Sequence, residues 1–153
     1  MKRILVFILS MLACIAMLHA QSDLHIYPVF EGKIVPQKRM IETKVVGESL
    51  EKYKLRLFHS VKMNVNQEEM TKIWDCVMSD INSQPTEAKD LEYGKEKNLV
   101  SYCIVRLKPQ SNKQQRYLCY QCYEASTGGY NLTLVYMEGT ASLSELKKTF
   151  RKK

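Results

Sequence analysis

The sequence predicts an α+β domain: an antiparallel sheet with a C-terminal three-stranded meander, packed with one amphipathic helix and a short C-terminal helix. Three observations carry this. Strand-like runs at Leu99–Leu107, Arg116–Glu124 and Tyr130–Met137 are joined by KPQSNKQQ and ASTGG, both rich in turn residues. In QEEMTKIWDCVMSDI, the residues Met70, Ile73, Trp74, Val77, Met78 and Ile81 recur at spacings of three and four and form one apolar stripe. Near the end, Ser142 and Glu145 form a capping box, after which Leu143, Leu146 and Phe150 face one way.

In chain order, the first element is a leader. MKRILVFILSMLACIAMLHAQSD sets Lys2 and Arg3 before an apolar stretch from Ile4 to Leu18, then places Ala20 before polar Gln21. This is the order of a secretory signal peptide cut after Ala20, although Leu18 is large for the third position before a cut. As a membrane anchor the run is short of the ~20 residues a span needs. Lipidation at Cys14 would leave apolar Ile15–Leu18 where a polar linker is expected. The expected organisation is a signal peptide over 1–20 and one domain over 21–153. Its expected location is the periplasm, with secretion as the alternative.

Pro28 and Pro36 flank VFEGKIV, where Gly32 suggests a turn between two short strands. Ile41, Thr43 and Val45 alternate with Glu42 and Lys44, a half-buried strand ended by Gly47. A short helix near Ser49–Tyr53 and a strand from Leu55 to Met63 follow. Asn66 and Glu69 then supply the cap of the amphipathic helix. The stripe is expected to be core, with Trp74 its largest burial and Cys76 off it. Ser83 to Asn98, polar and containing Pro85 and Gly94, reads as a loop.

Cys119 and Cys122 form a C-x-x-C in RYLCYQCYE. In a regular strand they lie on opposite faces with Cα atoms ~10 Å apart, beyond the ~7 Å reach of a disulfide. A redox pair of this type sits at a helix N-terminus, where the dipole lowers the thiol pKa, and nothing after Cys122 reads as helix. If ASTGG closes a hairpin with Glu124 opposite Tyr130, then Cys122 faces Leu132, Tyr120 faces Leu134 and Leu118 faces Tyr136. That core face extends to Leu99, Cys103 and Val105, which leaves Cys119 on a more open face beside Tyr117 and Tyr123. Among Cys76, Cys103, Cys119 and Cys122 three disulfide connectivities are open, with Cys103–Cys122 the most plausible pair. Structural burial ranks above a disulfide, and a disulfide above zinc held by all four.

The chain carries a formal charge of +7, and removing Lys2 and Arg3 with the leader lowers it by two. Lys147, Lys148, Arg151, Lys152 and Lys153 crowd the tail. They could meet an anionic surface, but they also suit the negative end of a helix dipole, and this plainer reading is favoured. No nucleic-acid motif is present. His59 and Ser60 supply a base and a hydroxyl that point apart on a strand, with no acid to orient them. His25 has no evident partner, and Asp75 and Asp80 do not share a helix face well. Asn131-Leu132-Thr133 matches a glycosylation acceptor of eukaryotic secretory pathways. No catalytic residue, cofactor site or metal ligand is assigned.

YPVFEGKIVPQKRMIETKVVG, SLEKYKLRLFHSVKM, RYLCY and LVYMEGTASLSELKKTF together resemble an uncharacterised family of small exported proteins from Bacteroides-type bacteria, a domain of unknown function. The resemblance covers nearly the whole chain after the leader. It implies a Gram-negative envelope setting and carries no activity or site residues. The expected function is a non-enzymatic binding or structural module. The competing class is a thiol-redox or metal-binding protein using Cys119 and Cys122.

Overall fold

The computed structural model describes residues 21–85, 89–93, 98–109 and 114–151, with the side chains of 90–93 and 150–151 excepted. The leader, Cys14, Gly94, the Phe150 side chain, the Arg151 side chain, Lys152 and Lys153 therefore lie outside the described residues. Helix α1 (Tyr27–Phe30) is followed by β1 (Met40–Val46), β2 (Leu55–Val65), helix α2 (Gln67–Asn82), β3 (Lys89–Tyr93), β4 (Leu99–Leu107), β5 (Gln115–Glu124), β6 (Tyr130–Gly139) and helix α3 (Leu143–Arg151). Short 3-10 turns at Gln37–Arg39 and Glu48–Tyr53 flank β1. The six strands form one sheet in the order β1-β2-β6-β5-β4-β3, and every pairing is antiparallel.

The expected β5–β6 hairpin holds residue for residue. Glu124 lies opposite Tyr130, Cys122 opposite Leu132, Tyr120 opposite Leu134 and Leu118 opposite Tyr136. Both expected caps form. Asn66 accepts from the Glu69 backbone at 2.9 Å while Glu69 returns to the Asn66 N–H, and Ser142 and Glu145 repeat the exchange at α3.

The middle of the sheet, from β4 to β6, is buried on both faces. One face packs Leu57, Val61, Leu118, Tyr120, Cys122, Leu132 and Leu134 against α1 and against Ile73, Val77 and Ile81 of α2. The other gathers Ile104, Tyr117, Cys119, Val135 and Met137 under Leu50 of the second 3-10 turn and under Leu146 of α3. Strand β2 keeps a half-buried alternation, whereas β4, β5 and β6 are buried almost continuously. A near-continuous apolar run is what a strand covered on both sides requires.

Several expectations are corrected. VFEGKIV is not two strands: Pro28 sits in the first turn of α1, where its missing N–H is no loss, and adjacent Val29 and Phe30 are both buried. Gly32, at φ 76°, turns the chain after that helix. The expected loop over 83–98 contains edge strand β3, whose KDLEY is too charged to show an apolar pattern. Leu99 packs on the opposite face from Cys103, because a register shift between Leu99 and Ser101 inverts the alternation. Cys119 is 1% exposed rather than open, because α3 and the 3-10 turn cover its face. Trp74 is half-buried against Tyr120, with ring centroids 5.0 Å apart, and larger buried contributions come from Tyr120, Tyr136 and Tyr117.

Candidate functional site

The first residues of the described chain, Gln21 to Ile26, are stitched onto the sheet by polar groups from β2, β5 and α2. His59 of β2 is 7% exposed and packs against the Phe30 ring at 4.7 Å. The Gln21 amide nitrogen lies 2.9 Å from its Nδ1, and Glu42 Oε1 lies 2.7 Å from its Nε2. With an amide N–H donated to Nδ1, the ring proton sits on Nε2 and is donated to Glu42. Glu42 is thus the acid that orients His59. It is not His59's direct partner across the strands, which is Lys44, but the diagonal neighbour two residues away on the same face. Burial lowers the His59 pKa despite the opposing pull of Glu42.

Directly across from His59 stands Tyr136, which begins a second part of the network. Arg116 is 3% exposed and donates from Nε to the Tyr136 hydroxyl at 2.8 Å. Its two terminal nitrogens grip Asp23 at 2.7 and 3.1 Å, and one also reaches the Lys108 carbonyl at 3.2 Å. Tyr136 donates onward to Glu138 at 2.7 Å, and Glu138 accepts from Arg56 at 3.2 Å. Burial works against ionisation of Asp23, yet its hydrogen bonds to Arg116 and the attraction between the charges win, and its pKa is lowered. Burial likewise works against the Arg116 charge, and Asp23 with Tyr136 more than restores it.

The third attachment is Asp80 of α2, 3% exposed. Its carboxylate accepts the backbone N–H of His25 at 2.9 Å and of Ile26 at 3.0 Å, and His25 Nδ1 lies 3.0 Å away. Asp80 therefore satisfies donors at the start of α1 that have no partner within that helix, and His25 has a partner after all. Asp75 takes no part in this attachment. The clue in the sequence was that Asp80 follows Ile73 by seven residues and Val77 by three, which places a charge on the buried stripe.

The cysteines are arranged for packing. Cys76, Cys103, Cys119 and Cys122 are all thiols. Cys103 stands opposite Tyr120 and Cys122 opposite Ser101, so the expected Cys103–Cys122 pair is a diagonal one, at a Cα separation of ~7–8 Å. Burial pushes the Cys119 thiol up to about 12 and raises Cys103 and Cys122 as well. These are conditions that hold a thiol protonated and unreactive. Among the described residues no group of three His, Cys, Asp or Glu side chains converges as metal ligands would. Ser60, adjacent to His59, points to the other face, and both ring nitrogens of His59 are engaged.

Two surface hollows lie among the described residues. An apolar one of about 290 Å³ lies between the second 3-10 turn and α3, lined by Leu50, Tyr53, Leu55, Phe58, Leu146 and Thr149. A polar one of about 470 Å³ lies near Gly139, Lys54 and Arg56. Neither is lined by Lys147 or Lys148, which are half-buried and exposed, respectively, on α3.

A model of a family of unknown function, DUF6108, matches residues 13–150. The chain belongs to this family. The resemblance to a domain of unknown function thus holds over nearly the whole chain. Comparison with curated proteins and with solved structures gives no match. No helix among the described residues is long and apolar enough to cross a membrane.

Proposed function

We propose that this DUF6108 protein is an exported, non-enzymatic binding or structural module of a Gram-negative cell envelope, periplasmic in the first instance and of Bacteroides-type origin. The observation that carries the reading is the junction at residue 20. A cationic and then apolar leader ends at Ala20, and the next residues, Gln21, Asp23 and His25, enter the fold through His59, Arg116 and Asp80. Cleavage after Ala20 would leave every one of these attachments in the mature protein. The buried, raised-pKa thiols give no support to chemistry at Cys119 and Cys122.

The test is expression of the full chain in a Gram-negative host, followed by fractionation and intact-mass measurement. The expected result is a periplasmic or released protein that begins at Gln21. Full-length protein retained in the cytoplasm would overturn the reading, and a lipid-modified form beginning at Cys14 would replace it with an anchored one.

A further inference from the structure

Among the described residues strand β1 is an edge of the sheet, bonded to β2 on one side only, and most of it is exposed. Ile41 is 69% and Val46 44% exposed, among the few large apolar side chains that face water. An open strand edge is a template for another strand, and apolar side chains along it strengthen the pull.

We propose that two copies of this chain pair antiparallel through β1, about a two-fold axis at Thr43. A two-fold perpendicular to the sheet keeps each face on its own side, so only registers that join residues of like parity are allowed. Centring on Thr43 sets Met40 opposite Val46, Ile41 opposite Val45, Glu42 opposite Lys44, and Thr43 opposite itself. One face then reads apolar, acidic, basic, apolar against its own reverse, with two opposite-charge pairs flanked by two apolar pairs. The other face pairs Ile41 with Val45 on either side of a Thr–Thr contact. Moving the axis by one residue puts Lys44 opposite Lys44 or Glu42 opposite Glu42, each a like-charge contact that destabilises a strand pair. The charges therefore reject both neighbouring registers, a shift of two residues would leave only the end of the seven-residue strand paired, and the result is a closed dimer with a continuous sheet across both copies. The inference concerns association and stands whether or not the protein is exported.

The pairing places the two Thr43 Cα atoms ~4.5–5.5 Å apart, within disulfide reach. The two Ile41 residues are ~13 Å apart, out of reach. Under mild oxidation Thr43→Cys is expected to give a covalent dimer, whereas Ile41→Cys and the unaltered protein stay uncrosslinked. In sedimentation the unaltered protein is expected to dimerise in about the micromolar range of a small interface. Lys44→Glu is expected to weaken that at least about tenfold, by setting acid against acid at both pairs. Monomer at every concentration up to about 1 mM would overturn the proposal. So would equal crosslinking at positions 41 and 43, or a dimer indifferent to Lys44→Glu.

Discussion

Replacing Asp80 by alanine removes the group that fastens the start of α1 to α2. The carboxylate receives two backbone N–H groups, from His25 and Ile26, at 2.9 and 3.0 Å. Ile26 is fully buried, so its N–H would be left without water or protein as an acceptor. A hydrogen bond to a charged acceptor is worth ~1.5–3 kcal/mol, and an orphaned buried donor costs a similar amount. The His25 side chain is 67% exposed, so water can replace part of what His25 loses. The expected cost of Asp80→Ala is about 3–4 kcal/mol, a large part of the ~5–15 kcal/mol that holds a domain folded. Asp80→Asn keeps one acceptor oxygen and the side-chain volume, and is expected to lose about half as much. Urea unfolding measures both, with the m-value unchanged if the native state stays compact. Hydrogen exchange should show protection falling first over residues 24–32 and least in the β5–β6 core. Asp80→Ala within ~0.5 kcal/mol of the parent would refute the reasoning, as would identical losses for the two variants.

Three further outcomes follow from the same packing. His59 has a pKa below its ordinary value of 6.5, so the unfolded chain takes up its proton before the folded one does. Its contribution is therefore present above pH 6.5 and is lost as pH falls through the lower folded value. Urea midpoints taken at successive pH values should fall in that window and fall less in His59→Gln; equal slopes would count against the His59 assignment. At Gly139 an added Cβ would sit 2.2 Å from the Lys54 carbonyl oxygen and 2.6 Å from the Leu55 Cα, both backbone atoms. Gly139→Ala should therefore cost ~1–3 kcal/mol or more in a urea melt, and a neutral result would mean that β2 and β6 do not approach so closely. A disulfide exchange reagent should leave Cys103, Cys119 and Cys122 untouched in native protein and react with them on denaturation; fast native labelling of Cys119 would revive thiol chemistry.

What the sequence made legible was local and periodic. The β5–β6 register followed from one short turn and a period of two, and both helix caps followed from residues three apart. Two kinds of feature escaped. Where the chain breaks its own period, as between Leu99 and Ser101, every later assignment of faces depends on a bulge that no local residue announces. Where cover comes from elsewhere in the chain, exposure is misread. The open face expected for Cys119 lies beneath Leu50 and Leu146, and the run RYLCYQCY was already too continuously apolar for a strand with one wet face. Apart from the charge that Asp80 sets on the buried stripe, the N-terminal attachment was illegible for a similar reason. Its members are scattered through residues 21, 23, 42, 59, 80 and 116, so the order of the chain gives them no common spacing.

The direction in which polar groups point bears on the proposal of an interaction module. The side chains with the most chemical potential are turned inward and occupied: His59 between Gln21 and Glu42, Arg116 between Asp23 and Tyr136, Asp80 on two backbone donors. For Arg116, Asp80 or the Nδ1 side of His59 to meet a substrate, the segment from Gln21 to Ile26 would first have to lift, and lifting it orphans buried donors on both sides of the contact. Each such group costs about 1–3 kcal/mol, so an opening that breaks all three attachments is rare on energetic grounds. What the fold presents without rearrangement is the backbone edge of β1, with Ile41 and Val46 already in water. Strand pairing there needs no group to be released and satisfies donors and acceptors that otherwise rely on solvent. An interaction module uses such a surface directly, which is why association is the more economical reading of this fold.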